Sequence, residues 1–185
     1  QIEGINDAPV AVANTNEVPE NGVIDFAAIS SVLGDDADVD GDALTVSSIR
    51  TGNVAAADGA QGEIGSTLVG AYGVLTLNAD GQYRYATTAS AVDGLAAGAT
   101  AVDVFTYTIT DGALSASAEL LITVTGVNDA PVAVANTNAV LENGAIDLAA
   151  ASSVLGDDAD VDGDALTVSS IRTGNVEAAD GTEGA

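Results

Sequence analysis

Residues 104–125 read Val-Phe-Thr-Tyr-Thr-Ile-Thr-Asp-Gly-Ala-Leu-Ser-Ala-Ser-Ala-Glu-Leu-Leu-Ile-Thr-Val-Thr. Phe105, Tyr107 and Ile109 fall on one face of a strand, opposite Val104, Thr106 and Thr108. Beyond Asp111-Gly112, the residues Leu114, Ala116, Ala118, Leu120, Ile122 and Val124 alternate with Ser115, Ser117, Glu119, Leu121, Thr123 and Thr125. Successive side chains on a strand point to opposite faces, so a period of two means one face in a core and one toward water. Working outward, Val74–Leu77 and Gln82–Tyr85 flank Asn78-Ala79-Asp80-Gly81, a hairpin signal with a glycine available for positive φ. Leu44 and Val46 mark a strand after an acidic run, and Val10-Ala11-Val12 marks one near the start. One helical turn is expected where Phe26, Ile29, Val32 and Leu33 share an apolar face, with Asp25 capping its start and Gly34 its end. Many short strands separated by turn signals predict an all-β antiparallel sandwich, with a flattened barrel as the alternative.

The pattern recurs. Gly4-Ile5-Asn6-Asp7-Ala8-Pro9 returns as Gly126-Val127-Asn128-Asp129-Ala130-Pro131, and residues 4–63 align without gaps on 126–185 with 50 identities in 60 positions. Such closeness points to tandem duplication. Residues 1–8 are expected to be a linker from a preceding repeat, 9–127 a complete sandwich, and 128–185 the first, incomplete half of the next. The chain is expected to be a piece of something longer, since its first residues already match the internal linker.

Composition narrows the functions. There are 28 acidic side chains against three basic ones, Arg50, Arg84 and Arg172, for a formal charge of −25. Nucleic acid and anionic membranes are gripped through Lys and Arg, so neither is expected as a partner. Cys and His are absent, which removes disulfides, thiolate and imidazole metal sites, and Ser–His or Cys–His nucleophiles. A carboxylate pair could still hydrolyse a glycoside, but aromatic residues are 3% of the chain, too few for a sugar-stacking cleft. No catalysis is expected. No apolar run of about 18 residues is present, so no helical membrane span is expected.

The acid is concentrated. Asp35, Asp36, Asp38, Asp40 and Asp42 place five carboxylates within eight residues, and Asp157, Asp158, Asp160, Asp162 and Asp164 repeat them. At ~5 Å and an effective dielectric of ~20, each like-charged pair costs on the order of 3 kcal/mol. A loop of this kind stays splayed in water or takes up a cation. Oxygen ligands without nitrogen or sulfur select calcium or magnesium, and a flexible carboxylate-rich loop favours Ca2+. Asp36-x-Asp38-x-Asp40-Gly41 has the spacing that opens an EF-hand loop, but Ser47 stands where that loop needs its bidentate Glu, and strand residues follow instead of a helix. A calcium loop between strands is the expectation. Further candidate ligands are Glu20 and Glu142, each followed by Asn-Gly, and the linker residues Asn6, Asp7, Asn128 and Asp129. Asp80-Gly81 and Asp111-Gly112 are read as turns only.

Four stretches together resemble the VCBS-type and cadherin-like repeats of large bacterial RTX adhesins. Gly73–Tyr85 looks like their central hairpin, Val104–Gly112 like a later strand and turn, Thr125–Pro131 like their closing linker, and Val32–Val46 like their acidic segment. The resemblance implies Ig-like or cadherin-like β-sandwich repeats in tandem. It also implies a secreted, extracellular protein of the bacterial cell surface, exported by a type I system, whose calcium-stiffened repeats extend a distal binding region. Compared with true cadherins, the linker keeps Asn128-Asp129 but has Gly126 and Ala130 where those place Asp and Asn. On this reading the partners are neighbouring repeats or identical chains, with any cell-surface or matrix target met through other domains. A second reading is a subunit of an extracellular matrix, sheath or filament, assembled by strands shared between chains.

Overall fold

The computed structural model describes residues 4–25, 31–56, 58–145 and 153–173. The chain divides into two units, Gln1–Asp129 and Ala130–Ala185.

The first unit is an all-β sandwich. One sheet takes the order β1-β9-β8-β3-β4, from Asn14–Pro19, Ser115–Thr125, Thr100–Thr110, Thr45–Thr51 and Gln61–Gly62. The other takes the order β2-β7-β6-β5, from Val23–Ile24, Tyr83–Thr87, Gly73–Leu77 and Thr67–Val69. A single helical turn, α1 (Ala89–Val92), precedes β8. The stretch that decides the fold is its longest ladder: β8 and β9 pair antiparallel from Thr100↔Thr125 to Thr110↔Ser115, setting Phe105 against Leu120 and Tyr107 against Ala118.

The alternation becomes the core. Phe105, Tyr107 and Ile109 from β8, with Leu120, Ile122 and Val124 from β9, are fully buried against Leu75, Leu77, Tyr83 and Tyr85 of the opposite sheet. The Tyr85 and Phe105 rings meet edge to face at 6.3 Å and 70°, the arrangement that brings a positive ring edge to a negative ring face. Asp103 on β8 ties the sheets together. It accepts from the Tyr85 hydroxyl at 2.6 Å and from the backbone N–H groups of Ala71 and Tyr72 at 2.7 and 3.0 Å. This buried carboxylate therefore has donors on both oxygens, which offsets its desolvation. Gly73 faces the same tyrosine, and an added Cβ there would lie 2.5 Å from the Ala86 carbonyl and from the Tyr85 hydroxyl.

Two local expectations change. Val10–Val12 forms no strand; only Val10 makes an isolated bridge, to Ala37. The Val12 N–H is taken by the Asp36 carboxylate at 2.7 Å, so the ladder begins two residues later, at Asn14. There β1 runs parallel to β9, from Asn14↔Leu120 to Pro19↔Thr125, and the sandwich is antiparallel with one parallel edge. The helical turn expected around Phe26 and Ile29 lies outside the described residues; of its described apolar members, Val32 is fully buried and Leu33 half-buried against the core.

In the second unit, the described residues contain one isolated bridge, Val132↔Ala159, and no strand.

Candidate cation sites at the two ends of the sandwich

The acidic loop, the incoming linker and the β8–β9 turn meet at one end of the first unit. Gly41 turns the loop with φ +80° and nothing within 4 Å of where a β-carbon would lie, a conformation that glycine adopts without strain. Asp38 holds the turn, its Oδ1 accepting from the N–H groups of Asp40 at 2.8 Å and Asp42 at 3.4 Å. Asp40 reaches the linker, where its Oδ2 accepts from the Asp7 N–H at 2.8 Å. Asp36 reaches the entering strand and lies 3.5 Å from the Tyr107 hydroxyl, which itself donates to the Val12 carbonyl at 2.6 Å. Burial raises the Asp36 carboxyl above its ordinary range. The Val12 N–H opposes that, the neighbouring Asp35 charge adds to it, and the Tyr107 bond lowers it slightly. The Tyr107 hydroxyl is pushed well up, by burial first and then by the Asp36 charge.

The sequence reading missed one member of this end. Asp111 accepts from the Ala113 and Leu114 N–H groups at 2.6 and 2.7 Å, as a turn residue does. It also accepts from the Asn6 side chain at 2.9 Å, so the linker is tied to two loops at once. These donors hold the Asp111 carboxyl below the usual carboxylate range, Leu114 and Ala113 first and Asn6 next. Asp-Gly after a strand was a turn signal; its second role needed the fold. Asp35 and Asp42 are both exposed on the same loop.

Glu20 sits at the opposite end. Its N–H donates to the Thr125 carbonyl at 2.8 Å, extending the β1–β9 pairing by one residue. Asn21 follows at φ +57°, and Gly22 closes the turn on the Pro19 carbonyl at 3.0 Å. Glu20 is only 4% exposed, and among the described residues neither carboxylate oxygen has a hydrogen-bond partner. Asn128 and Asp129 follow Thr125 by three and four residues, and the Asn128 side chain donates to the Asp129 carbonyl at 2.8 Å.

The second unit rebuilds the loop. Val134 N–H donates to Asp158 at 2.7 Å, and Asp160 Oδ1 accepts from Asp162 and Asp164 N–H at 3.0 and 3.2 Å. The Asn136 side chain reaches the Val134 and Val154 carbonyls at 3.0 and 3.2 Å, as Asn14 reaches those of Val12 and Val32 at the same distances. The remaining partner differs: Asn136 turns to Asp157 at 3.1 Å, where Asn14 meets Tyr107 at 3.0 Å. Glu142, unlike Glu20, is exposed.

Among the described residues, no three acidic side chains converge into a group that could hold a metal between them. The donor set nevertheless suits a hard cation. It is all oxygen, and among the described residues Asp38 Oδ2 is buried with no partner and Glu20 has two such oxygens. A buried carboxylate without donors is costly unless a cation faces it.

Residues 6–126 match the bacterial cadherin-like domain. The chain belongs to that family. Residues 128–184 of this cadherin-like chain match a bacterial Ig domain, a second sandwich class. A comparison with curated proteins finds no match. Among solved structures, the chain is 21% identical to the endo-fucoidan hydrolase MfFcnA4 from glycoside hydrolase family 107, with a TM-score of 0.32 over 68% of this chain and 16% of that one. A single-substitution variant of that hydrolase gives 23% identity and a TM-score of 0.31 over the same shares. The cadherin-like chain thus spans a small part of those proteins, and nothing about hydrolysis follows from them.

Proposed function

We propose that this cadherin-like chain is a calcium-stiffened extender repeat of a secreted bacterial surface adhesin, structural and adhesive rather than catalytic. The observation that carries it is Glu20, a carboxylate buried where β1 and β9 end, next to the outgoing linker, with both oxygens unpartnered among the described residues. A divalent cation there would neutralise charge that otherwise opposes folding, and the linker carboxylate of Asp129 is close in sequence to the strand end that Glu20 joins. At the other end, Asp36, Asp38 and Asp40 would contribute carboxylate oxygens, with Asp7 arriving on the linker. Calcium would supply charge neutralisation and a fixed arrangement of oxygens. The protein's own residues hold the linker: Asp40 through the Asp7 N–H, and Asp111 through Asn6.

Cation binding to the folded state stabilises it by mass action. Extracellular calcium modules work at ~10⁻⁴–10⁻³ M, a range that suits a cell-surface stalk. The scarcity of aromatic side chains argues against a ligand-recognition role for these repeats themselves, so adhesion is assigned to other domains of the parent protein. Calorimetry with calcium on the 185-residue chain tests the reading. Binding should be weakened by Glu20→Gln and, separately, by Asp38→Ala with Asp40→Ala. Unchanged heats in all these variants would sink it.

A further inference from the structure

Tension applied to the two ends of the first unit falls on a single ladder. The chain enters this sandwich on β1 and leaves it on β9, and those two strands pair parallel, from Asn14↔Leu120 to Pro19↔Thr125. Among the described residues every other strand pair is antiparallel. In a parallel pair the first residue of one strand and the last residue of the other stand at opposite ends of the ladder. Tension between Pro9 and Gly126 therefore runs along the strands and strains every rung at once. An antiparallel pair of terminal strands would be loaded at one end and would open rung by rung. Pro19 has no N–H to give, and the ladder continues past it through the Glu20 N–H, which donates to the Thr125 carbonyl at 2.8 Å.

The side chains of β1 hold it by polar contacts. Its inward positions are Asn14, Asn16 and Val18, and Val18 is the one apolar side chain it buries. The Asn14 side chain donates to the Tyr107 hydroxyl and the Asn16 side chain to the Tyr83 hydroxyl, both at 3.0 Å. Tyr107 stands on β8 and Tyr83 on β7, so the entering strand is fastened to both sheets. Just ahead of β1, the Tyr107 hydroxyl donates to the Val12 carbonyl at 2.6 Å. Hydrogen bonds weaken steeply with distance and angle, whereas apolar burial has no direction and scales with area. A strand held in this way resists a small displacement stiffly and adds little apolar burial to the equilibrium stability. We propose that β1 and β9 form a force-bearing clamp, with the Asn14–Tyr107 and Asn16–Tyr83 bonds as its side-chain bolts. The first unit then resists tension arriving through its own two linkers more than tension applied elsewhere. The inference goes beyond the cation reading, since rungs and bolts are all made by the chain's own groups.

Forced unfolding reads the unfolding barrier and not the equilibrium free energy, which separates a clamp from ordinary stabilisation. The 185-residue chain has no cysteine, so introduced pairs give unique attachment points for single-molecule pulling. Ile5→Cys with Val127→Cys, both at exposed positions, loads β1 against β9 in shear. Ile5→Cys with Ala113→Cys loads the unit from one end, because Ala113 lies in the β8–β9 turn whose Asp111 holds Asn6, and β1 then peels from Asn14 onward. At one pulling speed and one calcium concentration, the shear pair should unfold at a several-fold higher force than the peeling pair. Adding Asn16→Ala should lower the shear force and leave the peeling force unchanged. Ile49→Val, buried on β3 and outside the β1–β9 ladder, should lower the urea midpoint and leave the shear force at the wild-type value. Equal forces in the two geometries overturn the clamp. A shear force that drops as far with Ile49→Val as with Asn16→Ala, at the same loss of equilibrium stability, overturns the bolts.

Discussion

At the scale of single residues, two carboxylates at the incoming-linker end, Asp111 and Asp36, affect the fold in opposite directions when they ionise. Asp111 gains donors on folding, so its carboxyl lies below the unfolded value. That contribution is complete above the ordinary carboxylate range near ~4 and is lost as pH falls through the lower, folded value. Asp111→Ala should therefore lower the melting temperature at pH 7, and the gap to wild type should close as the pH drops below about 4. Asp36 behaves inversely, because burial raises its carboxyl. Its ionisation costs stability at neutral pH, and protonation relieves that cost as pH falls through the raised value. With chelator present, Asp36→Asn, which can still accept from Val12, should melt above wild type at pH 7 and converge with it in acid. Glu20→Gln removes a buried charge without donors, and in chelator it should be neutral or stabilising by roughly 1–3 kcal/mol. The spacing of the aspartates made the acidic loop legible from sequence. Asp111 was not, since its linker partner lies 105 positions away and only the fold joins them.

At the scale of elements, legibility tracked apolar alternation. β6, β7, β8 and β9 carry buried residues at every second position through most of their length, and their sequences announce it. β1 reads Asn-Thr-Asn-Glu-Val-Pro with one buried residue, Val18. Its asparagines hydrogen-bond to tyrosine hydroxyls instead of packing, so the alternation signal falls silent there. The apolar Val10–Val12 attracted the strand assignment, yet an aspartate side chain takes its backbone donor. Between the sheets the energy is carried by packing and by one polar tie. Tyr85→Phe keeps the ring against Phe105 but removes a donor from buried Asp103. Urea denaturation should show a loss of roughly 1–3 kcal/mol. Ile122→Ala, which opens a cavity under the β8–β9 ladder, should cost about 2–5 kcal/mol in the same assay. A smaller loss for Ile122 than for Tyr85 would mean that the tie, and not the packed ladder, holds the sheets.

At the scale of the whole molecule, the near-identical half repeats show which structure is local and which is borrowed. The clasp between the entering segment and the acidic loop, Val10 with Ala37 and Val132 with Ala159, forms in both units. It needs only residues a few turns of chain apart, so either half can make it. The strand Thr45–Thr51 is different. In the first unit its backbone pairs with β8 and its valine and isoleucine are covered. The same seven residues at 167–173 form no strand, and Ile171 is almost fully exposed. Sequence alone could not separate the two cases, because local propensity is equal and only the long-range partner differs. Amide hydrogen exchange on the 185-residue chain reads the distinction directly. Protection reflects the free energy of opening each hydrogen bond, and strands inside a cooperative core approach the global value while unpaired backbone exchanges freely. The amides of Val46 and Ile49 should exchange only with global unfolding of the first unit, and those of Val168 and Ile171 near the rate of an unstructured peptide. The amide of Val134, held by Asp158, should fall between them. Equal slow exchange at 46 and 168 would show that the second strand has a partner of its own, and the division into local clasp and borrowed strand would fail.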